Sequence, residues 1–546
     1  MTRPGPKPHA AALLYAREYR AGLMDRRTFL ARATALGVAI PVAHGLIGLP
    51  APARAGARPR AGGTLRIQMD CHAPTDPRRY DRSDLANATR GIAEYLVEVQ
   101  PDGALRPMLL AGWRVNGEAT EYLLNLRPGV MWNNGAPFTA EDVEANILGW
   151  CDASVPGNSM AARMAALMQG GRAAPGAVEV LDRHSLRLRL GKPDGTLMLG
   201  MADYPAAIQH RDLIGTPVLE HGIGTGAFRI DEVRPGERIV LSRNPDHGYW
   251  GAAYLDRAEF LDHGPDPAAW LAGARADAFD MTHETVSGFV DAFTALGWVE
   301  STVATSSTVV IRPNREAEVN GIRPYADPRV RRALALAVDN AIALELGLAG
   351  RGQVSTNNYH VAQGVHPDHA DFPPHERNIP EARRLMEAAG MTGFEHDLVS
   401  LDDDYRRNTA DAVAAQLRDA GFRVKRTLLP TAGFWAGWTG YPFSATDWNH
   451  RETGIQLLNL GYRSDAAWNE TGFRDAAFDA LLDKATAIAD STARRAVMGE
   501  LQRRMVEDGT AIIPYWRALC RHHRPGLAGA GMHPKFEINI HHLGWT

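Results

Sequence analysis

Tyr122–Trp150 reads YLLNLRPGVMWNNGAPFTAEDVEANILGW. Tyr122, Leu124 and Leu126 alternate with polar neighbours, which predicts a half-buried strand. Asn133, Asn134 and Gly135 tolerate a positive φ, so a turn follows. Thr139, three residues before Asp142, is a capping-box start. Val143, Ile147 and Leu148 then make the apolar face of a helix. Strand, turn and capped helix are structural devices, and none of these residues is catalytic.

Further blocks follow in order. Gly224-Thr225-Gly226-Ala227-Phe228 leads through Arg234-Pro235-Gly236-Glu237 to Leu241-Ser242-Arg243-Asn244-Pro245 and Tyr249-Trp250. Asp327-Pro328-Arg329-Val330-Arg331-Arg332-Ala333-Leu334 precedes Ala337-Val338-Asp339, and Pro380-Glu381-Ala382-Arg383 runs to Ala388-Ala389-Gly390. With Trp132–Val143, these blocks resemble the periplasmic solute-binding proteins that serve dipeptide, oligopeptide and nickel ABC importers. The resemblance covers nearly everything after residue 62. It is specific for the family and weak for the ligand.

A chain of 546 residues predicts roughly two to four domains. Apolar residues at 45% and charged residues at 22% fit a soluble globular protein. Residues 1–55 hold eight basic and two acidic side chains, leaving 51 basic against 61 acidic in the rest, a net charge of −10. Such an acidic body argues against nucleic acid and is compatible with a cationic or zwitterionic ligand. Cys71, Cys151 and Cys520 do not make a disulfide scaffold, although one pair is possible.

The N-terminus reads as a twin-arginine signal peptide over residues 1–55. Asp25-Arg26-Arg27-Thr28-Phe29-Leu30 carries the arginine pair, an apolar run spans Ala33 to Leu49, and Ala53-Arg54-Ala55 offers a cleavage site. The run holds Pro41, His44 and several glycines and is a poor membrane span. An uncleaved anchor or a chance arginine pair is the alternative.

Beyond a linker at 56–63, Thr64–Met69 and Ser185–Leu190 read as strands. Phe228–Ile230 and Ile239–Leu241 flank a Pro-Gly turn and predict a hairpin. Asp327 with Pro328 starts one helix; Pro380 opens another, which Gly390 ends. Helices are expected over Tyr405–Ala420, Asp475–Ala489 and Ala493–Asp508, with a strand at Phe422–Leu428. The class is α/β. The resemblance implies a two-lobed periplasmic binding protein fold with the ligand cleft between the lobes. Lobe I would comprise 62–105, 213–305 and 515–546, an inserted domain 106–212, and lobe III 306–514. Hinge crossings would lie near Ser301–Ser307 and Ile512–Trp516.

The chain contains no H-E-x-x-H, G-x-S-x-G, P-loop or dinucleotide fingerprint. His522-His523, His541-His542 and His366-Pro367-Asp368-His369 invite a metal reading, but adjacent histidines in a strand point to opposite faces. No metal or cofactor is expected. Ala445–Glu452 is the binding candidate. Peptide binders of the family carry an acidic residue here that pairs the ligand amine, and the match falls on Asp447, with Trp448 in the aromatic place. Arg451 is suited to a ligand carboxylate. His450, Trp435, Trp468 and Asn469 are further candidates, as are Tyr80 after the first strand and Thr305 and Ser307 beside the hinge. The alternatives are a cap or turn carboxylate for Asp447, a surface ion pair for Arg451, and core packing for Trp435 and Trp438. Ser444 and Asn449-His450-Arg451 depart from the peptide-binder pattern.

The implied function is a non-enzymatic receptor in the periplasm that captures short peptides or similar amine-bearing solutes. Its partners would be ABC importer permease subunits and, through them, ATPase subunits, with the receptor itself a monomer and no nucleic acid involved. An opine, sugar or nickel chelate is the alternative ligand. An exported hydrolase on the same fold is the alternative of a different class.

Overall fold

The computed structural model describes residues 8–49, 59–101, 103–248, 253–363, 365–366, 369–488 and 491–546. The Ala53-Arg54-Ala55 cleavage site, most of the start of the linker (56–58), Tyr249-Trp250 and Pro367-Asp368 lie outside the described residues.

The opening stretch folds as its pattern requires. Strand Glu121–Leu126 buries Tyr122, Leu124 and Leu126 and leaves the alternate residues half-buried. Gly135 takes φ +87 in the following turn. Helix Ala140–Trp150 starts at Thr139, whose backbone N–H donates to Asp142 Oδ2 at 2.9 Å. One expected position is wrong: Leu148 is exposed, and Trp150 completes the buried face with Val143 and Ile147. Two more residues along the helix returns the chain to the buried stripe. This helix packs on a four-stranded antiparallel sheet in the order Leu110–Val115, Glu121–Leu126, Ser185–Arg189, Val178–Asp182.

Two larger sheets frame the molecule. The first has eight strands. Its path runs from the hairpin Phe228–Arg234/Arg238–Arg243 through Arg257–Leu261, Thr64–Gln68, Met281–Thr282 and Tyr515–His523 to Val299–Ala304. Gly352–Val354 also pairs with Tyr515–Arg517. Thr64–Gln68 is parallel to both of its neighbours and buries Leu65, Ile67 and Gln68. The second sheet has the order Thr308–Pro313, Phe443–Trp448, Glu395–Leu401, Arg423–Leu429. Helix Pro328–Leu336, capped by Asp327, and helix Asp404–Asp419 pack their apolar faces with it. Helix Ile379–Ala388 is capped by Asn378, and Gly390 follows at φ +70. Helices Ala476–Ala487 and Ser491–Asp508 sit near their expected bounds.

The two sheets are joined by paired segments. Val299–Ala304 runs antiparallel to Ala518–His523; Arg517 N then donates to Ser307 O at 2.7 Å, and Ile311 bridges Ile512. Next to this junction lies a buried ionic knot. Asp203 Oδ2 accepts from Arg163 at 2.5 and 2.8 Å and faces Arg451 Nε at 3.6 Å, while Lys535 Nζ stands 3.4 Å from Oδ1. All four side chains are at most 1% exposed. They come from four distant stretches of chain.

The N-terminal residues are not extended. Helices Ala10–Arg20, Arg26–Ala35 and Ile40–Leu46 form their own apolar cluster around Phe29 and Leu30, and dock on the body through Ala104. Cys71, Cys151 and Cys520 are buried free thiols, so the possible disulfide does not form. Among the described residues no helix is long and apolar enough to cross a membrane.

Burial pushes the Asp203 carboxyl up, but the Arg451, Arg163 and Lys535 charges outweigh it and hold it well below the carboxylate range. A depressed carboxyl stabilises the fold above its unfolded value and loses that effect only as pH falls through its folded one. Asp203→Asn is therefore expected to cost about 3–5 kcal/mol at neutral pH, since it removes the carboxylate that three buried cations share. Urea denaturation at pH 7 checks this, and a loss below about 1 kcal/mol would show that the knot is not a stability element.

Candidate functional site

A cavity of about 160 Å³ lies between the two large sheets. It opens into an outer vestibule of about 740 Å³ that shares Asp70, Asp81, Arg82, Pro265, Thr431 and Trp435 with it. Its walls are built from chain that leaves the carboxyl ends of strands. Gln68-Met69-Asp70 follows Thr64–Gln68, and His283-Glu284 follows Met281–Thr282. On the facing side, Asp403–Arg406 follows Glu395–Leu401, and Asp447–Asn449 ends Phe443–Trp448. Carboxyl ends of open sheets are where such folds leave crevices.

The walls are acidic and aromatic. One side presents Asp70, Asp81, Asp84 and Glu284, and the other Asp403, Asp404 and Asp447; the cationic lining is Arg82, Arg406 and Arg451. Arg406 is the internal counterion of the second group. Its Nε donates to Asp447 Oδ1 at 2.6 Å, and its Nη1 pairs with Asp403. Burial lowers the Arg406 pKa, but Asp403 and Asp447 overcome this and keep it well above the usual value. Glu284 pairs with Arg517, whose guanidinium lies 3.8 Å over the Tyr405 ring and donates to Tyr405 Oη at 3.0 Å. Burial raises the Glu284 carboxyl despite that partner. On the opposite wall Arg82 stands 5.5 Å over the ring of Trp435, a cation–π contact across the cleft.

Asp70, His72 and Asp84 cluster at the mouth, with His72 Nε2 2.7 Å from Asp84 Oδ2 and 3.9 Å from Asp70 Oδ2. Burial pushes Asp84 up, but the His72 and Arg82 charges hold it well below the carboxylate range. Asp70 goes the other way, pushed up to about 6 by burial and by the charge of Asp84, although His72 opposes this. Burial takes His283 down to about 4, so that imidazole is neutral at physiological pH.

The sequence candidates divide into two groups. Asp447, Trp448, Arg451, Trp435 and Trp468 line the cavity, as does Trp438. Asp447 sits on a strand rather than in a cap or turn. Trp448 is fixed by its Nε1–H, which donates to Glu470 Oε1 at 2.7 Å, and it meets Trp468 edge to face at 5.7 Å. Arg451 is committed to Asp203 and the Tyr204 ring rather than to an open surface. The other four polar candidates and Tyr80 are not among the lining residues. His450 Nδ1 bonds Ser306, and Ser307 Oγ accepts from His450 N. Thr305 donates to Arg517 O, Asn469 donates to Phe473 O, and Tyr80 is buried in an apolar cluster. The hydrogen bonds of His450, Ser307 and Thr305 are spent on holding the junction together, and those of Asn469 on its own loop. Asp70, Asp84, Glu284, Asp403 and Arg406 were missed. The Asp402-Asp403-Asp404 run between a strand and a helix was the available signal for Asp403.

His541 and His542 depart from the strand expectation. They lie in a 3₁₀ turn, their rings are 4.1 Å apart, and both face Glu98, at 3.5 and 3.2 Å. Arg106 pairs with the same carboxylate at 3.0 Å.

The fold and cleft define a two-lobed solute-binding protein. Residues 104–471, well over half the chain, match the family model of bacterial extracellular solute-binding proteins, family 5, and the chain belongs to that family. It is 25% identical over 487 residues to the probable deoxycholate-binding periplasmic protein YgiS of Escherichia coli, spanning 84% of this chain and 88% of that one. It is 24% identical over 514 residues to the periplasmic oligopeptide-binding protein OppA of Salmonella typhimurium, spanning 86% and 90%. The solved structure of the oligopeptide-binding protein AppA from Bacillus subtilis, in complex with a nonapeptide, superposes with a TM-score of 0.78 at 19% identity. That match covers 90% of this chain and all of AppA.

An acid with a raised value opposes folding while it is ionised. Asp70→Asn is expected to raise the Tm of the ligand-free protein at pH 7.5. The gain should shrink as pH falls through about 6, where the native carboxyl takes up its own proton. Thermal melts at pH 7.5 and 5 check this; a gain independent of pH, or a loss at pH 7.5, contradicts it.

Proposed function

We propose that this protein is the periplasmic substrate-binding component of an ABC importer and that it captures short, cationic, amine-bearing solutes such as basic peptides. The observation that carries the ligand class is the charge of the cavity: seven carboxylates line it against three guanidiniums, and Arg451 is already committed to Asp203. An enclosed site with excess negative charge favours a ligand that brings positive charge. The indoles of Trp435, Trp448 and Trp468 offer apolar contact and cation–π faces to the same ligand. The periplasmic relatives support the transport role, and OppA and the glutathione-binding protein GsiB of Salmonella typhi support a peptide-like ligand.

In this reading Asp447 receives the ligand amine beside Trp448, with Trp435, Trp468 and Arg451 completing the wall. Tyr80, Thr305, Ser307, His450 and Asn469 act on the ligand only through the geometry they hold. Residues 62–105, 213–305 and 515–546 form lobe I, 106–212 the inserted domain and 306–514 lobe III. Opening occurs at 301–307 and 512–516, and ligand contacts to both walls select the closed state. The closed monomer is delivered to permease subunits that work with ATPase subunits. Binding proceeds without catalysis, and export uses the twin-arginine route.

Calorimetric titration tests the ligand class. Lysyl-lysine is expected to bind and glutamyl-glutamate not to, with the lysyl-lysine affinity falling between 20 and 300 mM salt, roughly as exposed charge attraction is screened. Asp447→Asn is expected to lose about 2–5 kcal/mol of that affinity. Equal binding of the two dipeptides would sink the cationic reading.

A further inference from the structure

The N-terminal helices contact both sides of the molecule. Toward the first side, Leu105 N donates to Thr34 Oγ1 at 2.7 Å, and Trp113 Nε1 donates to Ala35 O at 3.0 Å. Arg27 Nε donates to Pro101 O at 3.3 Å, and its Nη1 donates to Ala304 O at 3.0 Å. Ala304 is the last residue of the strand that enters the junction between the sheets. Toward the other side, Thr28 Oγ1 donates to Val365 O at 3.3 Å, and helix Ala10–Arg20 packs against helix Ser491–Asp508.

The docking is shaped, not incidental. A Cβ on Gly103 would meet the Arg27 backbone carbonyl at 2.5 Å, and one on Gly37 would meet Trp113 O at 2.9 Å, so both contacts depend on glycine. Phe29, Leu30, Ala31, Ala33 and Ala35 are fully buried. Asp25 caps the middle helix by accepting from Thr28 N at 2.7 Å, and Arg26 bonds His44, so the whole DRRTFL stretch is absorbed into structure.

We propose that residues 9–49 are a strap which, while attached, limits opening of the cleft by docking on both lobes at once beside the hinge. Opening swings Val365 and the helix Ser491–Asp508 away from Pro101, Leu105 and Ala304. With the strap docked, that motion breaks the Arg27 or the Thr28 hydrogen bonds and uncovers apolar surface around Phe29 and Leu30. The unstrapped receptor lacks this restraint, so release of the segment frees ligand exchange.

The test needs no ligand. Nitroxide labels on Arg275→Cys and Glu387→Cys, exposed positions on opposite sides, report the lobe–lobe distance by double electron–electron resonance. The full chain carries a specific protease site within residues 51–58, so the strap is cut after folding and separated by size exclusion. The uncut chain is expected to give one narrow distance, and the cut chain a broader distribution with a longer component. Uncut Arg27→Glu, which sets a carboxylate against the carbonyls of Pro101 and Ala304, is expected to move the same way. Superimposable distributions in all three samples would overturn the strap. If the cut chain loses its circular dichroism, Arg27→Glu decides alone.

Discussion

A single buried carboxylate organises this molecule. Asp203 is inaccessible to water and is met by Arg163, Arg451 and Lys535, each as buried as itself. Four charges removed from solvent are costly, so the arrangement persists only where the partners are held in place by everything around them. Arg451 belongs to the chain that leaves strand Phe443–Trp448, Lys535 to the C-terminal segment, and Arg163 to a helix of the 106–212 stretch. One side chain thus ties together three parts of the fold at the base of the cleft. The consequences reach the cavity wall. Arg163 and Arg451 stand over the Trp468 ring at 5.1 and 5.9 Å, and Trp468 in turn packs on Trp448. The aromatic face of the cavity is therefore set by an ion cluster of which only Arg451 reaches the lining.

The cavity itself carries the opposite imbalance. Its carboxylates outnumber its cations, and two of those cations already have partners in the cavity: Arg406 on Asp447 and Asp403, Arg82 on the Trp435 ring. The protein thus supplies guanidiniums to only part of its cavity carboxylates. The repulsion left over is an exchange of stability for function. Asp70, raised by burial and by Asp84, is where that repulsion is concentrated.

Local pattern carried much of the fold. Thr139 with Asp142, Asp327 with Pro328, and Gly236 between two strands are each decided within a few residues, and each forms as expected. The family blocks supplied the two-lobed arrangement that periodicity does not hold. The candidate site was half legible. Asp447 and Trp448, and Trp468 twenty residues later, line the cavity as expected because each stands in a short stretch with a recognisable form. His450, Thr305 and Ser307 stand in or beside the same segments, but they satisfy one another across the junction, a pairing 143 residues apart that no local rule foresees. Asp70, Glu284 and Arg406 acquire meaning only when the ends of separate strands meet. The leader reading of residues 1–55 rests on the arginine pair, the apolar run and the small-residue cleavage site, and none of these reveals that Phe29 and Leu30 find a place to pack.

The most direct measurement of the central claim is native mass spectrometry of the protein taken from its own periplasm, followed by denaturation and identification of the released molecule. A small solute of net positive charge, lost from an Asp447→Asn form purified in the same way, is the result predicted by the charge of the cleft. A neutral or anionic solute retained by that form would contradict it.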